Sequence, residues 1–168
     1  MSLLFTQIQD AVYNAILGAG ENTRVIFFYP NAPRPQLPYT SIQTLSIGAV
    51  IDDWDEFNDI DNESNVYGMR EIIFSVNAYG INADSEILRL QGKLQTQGIR
   101  EVLRDKIGIS ILSVGSPRDL STLIDSGYEK RFSMDIVFNV NVEDGSTIDD
   151  TGYFDTVSEI VWTNQPLN

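Results

Sequence analysis

Hydrophobic and polar positions along the chain change period several times. From Ser2 to Leu17, Leu4, Ile8, Ala11, Val12 and Ala15 recur at helical spacing, which predicts an amphipathic helix stopped by Gly18 and Gly20. Arg24 to Tyr29 is a short apolar run rich in β-formers and reads as a buried strand. Pro30 to Pro38 carries four prolines, which fit neither a helix interior nor a sheet ladder and predict an extended surface segment. Tyr39 to Ile51 reads as a second strand and Asn65 to Tyr79 as a third. In the third, Ile72, Phe74, Val76 and Ala78 share one face, while Glu71, Ser75 and Asn77 share the other with Ile73.

The period then returns to helical. Ala83 to Gly108 carries the stripe Ile87, Leu90, Leu94 and a second stripe Ile99, Val102, Leu103, Ile107, with Gly98 expected to divide or kink it. Ile109 to Val114 reads as a strand. Tyr128 to Val142 is the clearest strand: Phe132, Met134, Ile136, Phe138, Val140 and Val142 alternate with polar positions, and only Val137 interrupts the polar face. Such alternation puts one face on a core and the other on water or a lumen. Val157 to Thr163 is a candidate last strand. The order predicts an α+β fold: a mainly antiparallel β-sheet with two helical elements packed on one side. The domain boundaries expected are 1–145 for a single domain, with an acidic loop at 52–64, and 146–168 for a C-terminal extension.

Composition removes several kinds of chemistry. The 168 residues include no cysteine and no histidine, which excludes disulfides, thiol catalysis and any nucleophile activated by imidazole. Lys and Arg total 11 against 24 Asp and Glu, a formal charge of −13. Such a surface repels duplex DNA and anionic membranes. Met1 to Gln7 lacks the basic start of a secretory signal, and no apolar run is long enough to span a membrane.

Asp52 to Glu63 holds seven carboxylates and no base. Asp59, Asp61 and Glu63 alternate as calcium-loop ligands do, but Ser64 stands where the turn needs Gly and Arg70 where the bidentate Glu belongs. A calcium-dependent binding module using residues 52–63 is the alternative function; a solvated loop is the plainer reading. Gly18-Ala19-Gly20 lacks the third glycine of a nucleotide-binding turn and follows a helix, as a helix stop does. Arg89, Lys93, Arg100 and Arg104 interleave with Asp84, Glu86, Glu101 and Asp105 and read as a mixed-charge exposed face. Carboxylate pairs for hydrolysis arise by chance in so acidic a chain. The expectation is no enzyme, no catalytic residue, no cofactor and no resident metal.

The run Val114-Gly115-Ser116-Pro117-Arg118-Asp119-Leu120-Ser121-Thr122-Leu123-Ile124-Asp125-Ser126-Gly127-Tyr128-Glu129-Lys130-Arg131, entering the alternating strand, resembles the neck or tail-terminator family of contractile-tailed phages and prophages. Pro38-Tyr39-Thr40-Ser41-Ile42, Phe74 to Gly80 and Leu88 to Leu94 are similar to that family in the same order. The resemblance covers about Thr23 to Val142. It implies a structural virion protein: a ring of six copies that caps the tail tube and joins it to the head connector while DNA passes through. The partners implied are further copies of the chain, the tail tube and sheath, and the head connector, with no membrane. The location implied is the head–tail junction of the virion, after assembly in the host cytoplasm. On this footing Arg34, Leu37, Arg118, Asp119, Leu120, Glu129 and Arg131 are the candidates for subunit or partner contact, with Asp119 or Ser121 expected to cap a short helical turn. Asp135 is the candidate lumen residue.

Overall fold

The computed structural model describes residues 5–22, 24–28, 33–52, 54–58, 63–124 and 127–147. Helix α1 spans Phe5–Ala19, and strands β1 and β2 span Val25–Phe27 and Tyr39–Ala49. Strands β3 (Trp54–Asn58) and β4 (Glu63–Tyr79) follow, then helices α2 (Ala83–Leu94) and α3 (Gln97–Ile107). The chain returns through β5 (Ile109–Val114), β6 (Arg118–Asp119), β7 (Thr122–Ile124), β8 (Gly127–Glu129) and β9 (Arg131–Thr147).

The main sheet has the order β1-β2-β4-β9-β5, with β3 also on β4 and β6 also on β9. Every pairing is antiparallel except β1 with β2. Parallel neighbours need a crossover, and the proline-rich segment lies in the connection between these two strands. Two 17-residue strands, β4 and β9, form the spine, in register from Glu63↔Thr147 to Tyr79↔Arg131. The fold is α+β, as the alternation predicts.

The helices pack on one face of this sheet. Ile42, Ile72, Phe74 and Val76 meet Met134, Ile136 and Phe138 there, and Val12, Ile16, Ile87, Leu90 and Leu94 close over them; all are buried. Phe74 and Phe138 meet edge to face at 5.7 Å. Each such side chain removed from water stabilises the fold by about 1.5–3 kcal/mol before entropy is counted. The two apolar residues that break the polar alternation, Ile73 and Val137, are direct cross-strand partners on the opposite face, so each covers the other.

Three local expectations are corrected. The long helix divides at Gln95–Thr96, two residues before Gly98. Thr96 takes an extended conformation (φ −69°, ψ 144°), and its hydroxyl donates to the Lys93 carbonyl at 2.6 Å. The acidic segment is not a loop throughout: Trp54–Asn58 is a strand paired with Glu63–Tyr67, an arm in which Trp54 stacks on Tyr67 at 5.8 Å. Among the described residues, no helical turn follows Arg118. Asp119 belongs to β6, and β7 and β8 make a separate two-stranded hairpin. The candidate strand Val157–Thr163 lies outside the described residues.

Candidate subunit interface

The C-terminal end of β4 and the N-terminal ends of β2 and β9 meet at one edge of the sheet. Register places Tyr79 between Tyr39 and Arg131. The rings of Tyr39 and Tyr79 stack at 4.5 Å and 14°, and both residues are buried. Arg131 lies over the Tyr79 ring at 5.3 Å and donates to Asn77 Oδ1 at 3.0 Å. Arg34 lies over the same ring at 5.6 Å, donates to the Tyr39 hydroxyl at 3.2 Å and pairs with Glu129. Three of the sequence candidates, Arg34, Glu129 and Arg131, are thus one cluster. Stacked tyrosines offer a flat negative face to guanidinium groups, which favours this arrangement over free solvation. The proline-rich segment is held against its own subunit at Arg34 rather than standing away from it.

Arg118, Asp119 and Leu120 sit beside this cluster. Arg118 faces Ser133 across the ladder and forms an ion pair with Asp135. Asp119 accepts the Ser121 amide at 2.9 Å as well as the Ser121 hydroxyl, and that hydroxyl oxygen accepts the Arg131 amide at 3.1 Å. The Ser121 hydrogen bonds hold the Asp119 carboxyl below its ordinary value. Asp135 therefore lies on the helix-free face, where the alternation places it, but its charge is matched by Arg118. The neighbouring positions on that face, Ser41, Ser75, Asn77 and Ser133, are small, polar and nearly buried between the longer side chains, and the hydroxyls of Ser75 and Ser133 bond each other at 3.2 Å.

The apolar part of this end was only partly legible. Leu37 and Leu120 are exposed. Sequence reasoning did not single out Ile81, Leu123 and Tyr128, which are exposed by 84%, 71% and 68%. Leu37, Ile81 and Tyr128 line an open groove of about 630 Å³ with Lys130 and Glu129. An isoleucine directly after the Gly80 turn, where polar residues are usual, is the signal that would have found Ile81. Lys130 pairs with Asp84 at 2.8 Å, holding the Asp84 carboxyl below its usual range.

Among the described residues, no group of three or more acids is gathered to hold a metal ion. Asp53, Asp59 and Asp61 of the calcium alternative lie outside them. Also among the described residues, no helix is long and apolar enough to cross a membrane.

No curated protein matches the chain. The family model of the phage neck terminator protein matches residues 2–165. It therefore extends over the acidic arm and most of the segment after Gly145, where the motif resemblance did not reach. A match over nearly the whole length, on an α+β fold with an exposed apolar end rimmed by ion pairs, places this chain in the phage neck terminator protein family.

Proposed function

We propose that this neck terminator protein works as one subunit of a ring of six, which closes the finished tail tube and joins it to the head connector. Its role is structural: it acts by shape and assembly and performs no catalysis. It assembles in the host cytoplasm and then resides in the virion at the head–tail junction, where its partners are further copies of itself, the tail tube and sheath, and the connector. Residues 1–145 form the assembling domain, and 146–168 are an extension of it.

The observation that carries this function is the end of the sheet around Tyr79. An apolar surface made by Leu37, Ile81 and Tyr128 is left open to water beside the ion pairs Arg34–Glu129 and Arg118–Asp135. Large exposed apolar side chains gathered at one place mark a surface built for a protein partner. The helix-free face, which carries Asp135, turns toward the axis. The excess of 24 acids over 11 bases keeps passing DNA from adhering, because like charge repels the phosphate backbone.

Antibody labelling of whole virions tests the location: label at the head–tail junction is expected, and label confined to fibres or baseplate overturns the proposal. Native mass spectrometry tests assembly, with multiples of the 18.8 kDa subunit expected. Tails made without the protein are expected to lose head attachment and to regain it when purified protein is added.

A further inference from the structure

Helices α1 and α3 do not close on each other along their whole length. An apolar groove of about 520 Å³ runs between them, lined by Ala11 and Ala15 of α1 and by Gly98, Ile99, Val102 and Ile107 of α3. A Cβ at Gly98 would meet nothing within 4 Å, and Val102 is half exposed. The helices' own side chains therefore leave this space open, although packed helix layers normally have no gap of such size. Grooves in this range seat a ligand-sized group. The lining holds no carboxylate and one base, Lys93. The two grooves near Tyr79 differ: one is lined by Glu21 and Glu86, the other by Glu129.

The chain itself carries a segment that fits. Residues 148–168 follow β9 and include Asp149, Asp150, Asp155 and Glu159 but no base, so a groove without carboxylates suits them best. Tyr153, Phe154, Val157, Ile160 and Val161 recur at the helical period, which gathers five large apolar side chains on one face and sets Asp155 and Glu159 opposite. In a strand, Val157 and Val161 would share their face with Glu159, an acid that an apolar groove rejects. Nine helical residues are about 13 Å long and α3 is about 16 Å, so the lengths match. The family match runs on through this segment, to residue 165. Reach is sufficient too. Ile107 stands two residues before Ile109, which pairs with Val140. From Val140 to Thr147 is seven residues, about 23 Å along β9, and the seven residues from Thr147 to Phe154 cover up to about 25 Å. We propose that residues 153–161 seat as a helix in the α1–α3 groove of their own subunit and complete the helix layer over the sheet. The short tether holds them at an effective concentration of about millimolar, which favours their own groove over a neighbour's.

Hydrogen exchange of the full chain tests the docking. The amides of 153–161 are expected to exchange at least about tenfold more slowly than in a free peptide of that sequence. Val102→Glu sets a carboxylate in the groove at a half-exposed position and is expected to return those amides to the free-peptide rate, with β4 and β9 still protected. Free-peptide rates in the unsubstituted chain overturn the proposal, and so does protection that Val102→Glu leaves unchanged. The absence of cysteine allows a second test that needs no disruptive change. Val102→Cys combined with Val157→Cys is expected, under mild oxidation, to lose both thiols and still run as an 18.8 kDa monomer on a non-reducing denaturing gel. Leu123→Cys combined with Val157→Cys is the control, with its first thiol exposed on β7, and is expected to oxidise at least about tenfold more slowly, as an untethered encounter would. An equal mixture of Val102→Cys and Val157→Cys single variants is expected to stay reduced. A groove variant that oxidises no faster than the control removes the docking, and a disulfide between chains in the mixture removes the own-subunit contact.

Discussion

The backbone N–H of Glu21 donates to both carboxylate oxygens of Glu86, at 2.9 and 3.1 Å. Asn22 N–H adds a third bond to the same carboxylate at 3.1 Å. Glu86 is buried on α2, and the groups it binds lie just past the end of α1. Its charge is therefore balanced by backbone donors, and it ties the chain leaving α1 to the second helix. Arg89, one turn further on α2, pairs with the Glu21 side chain. Glu86→Ala leaves these amides without their acceptor and is expected to destabilise the subunit by about 3 kcal/mol, given the usual strength of bonds to a charged acceptor. Glu86→Gln keeps the shape and a neutral acceptor, and is expected to cost about 1 kcal/mol. Urea unfolding followed by tryptophan fluorescence measures both. Equal losses would mean that the charge contributes nothing.

Acid is expected to loosen the Tyr79 end through Asp84. The Lys130 hydrogen bond depresses the Asp84 carboxyl below its ordinary value of 3.8. A carboxylate lowered on folding stabilises the folded state above its unfolded pKa, and that contribution is lost as pH falls through the folded value. The contribution is thus intact above about pH 4, by the reference range for Asp, and fades below it. Lys130→Met removes the partner, so its unfolding curve is expected to show a shallower decline between neutral pH and pH 3 than the unsubstituted chain. Parallel pH curves for the two proteins would show that the pair does not respond to acid.

Arg118 and Arg131 look equivalent in sequence, but the fold separates them. Arg131 packs on the Tyr79 ring and binds Asn77, so Arg131→Glu sets a carboxylate against a π-face and a side-chain carbonyl. A loss of about 3 kcal/mol is expected, in the range for breaking a partly buried network. Arg118 is more than half exposed and pairs with Asp135. Arg118→Glu is expected to cost about 1 kcal/mol or less, as exposed pairs do, and to leave the fold intact. Arg118→Glu is accordingly the clean probe of assembly, with native mass as its readout.

What the sequence disclosed follows from where period decides structure. The alternation from Phe132 to Val140 marked the buried face of β9 residue by residue, because a two-residue repeat leaves a side chain only two directions to point. The Ile73 and Val137 interruptions were visible, but their pairing was not, since register between strands 64 residues apart along the chain is set by the whole ladder. The acidic arm was missed for a similar reason. Asp and Glu are poor strand formers, yet Trp54–Asn58 pairs with β4 because the neighbouring ladder supplies the hydrogen bonds. At the interface, the types of Arg34, Glu129 and Arg131 drew notice as charges near a sheet entrance. Their convergence on Tyr79 depends on the crossover from β1 to β2, which no local pattern encodes.

Gly115 offers a last test of how β5 and β6 are held to the spine. Its N–H donates to the Asp135 carbonyl at 2.7 Å, and its own carbonyl accepts from Gln91 on α2 at 3.0 Å. A Cβ at this position would come within 2.9 Å of the Asp135 carbonyl oxygen, which is backbone and has no rotamer to move into. Gly115→Ala must therefore push the β5–β6 connection off β9 and lengthen both hydrogen bonds. The expected cost is about 2 kcal/mol, with faster hydrogen exchange at the Gly115 amide and at β6. Gly18→Ala is the matched control: it lies in α1 with nothing within 4 Å of the added methyl. By helix propensity it is expected to stabilise the chain by about 0.5–1 kcal/mol. If both substitutions shift the urea midpoint the same way, close approach at Gly115 is not what fixes β5 and β6 to the sheet.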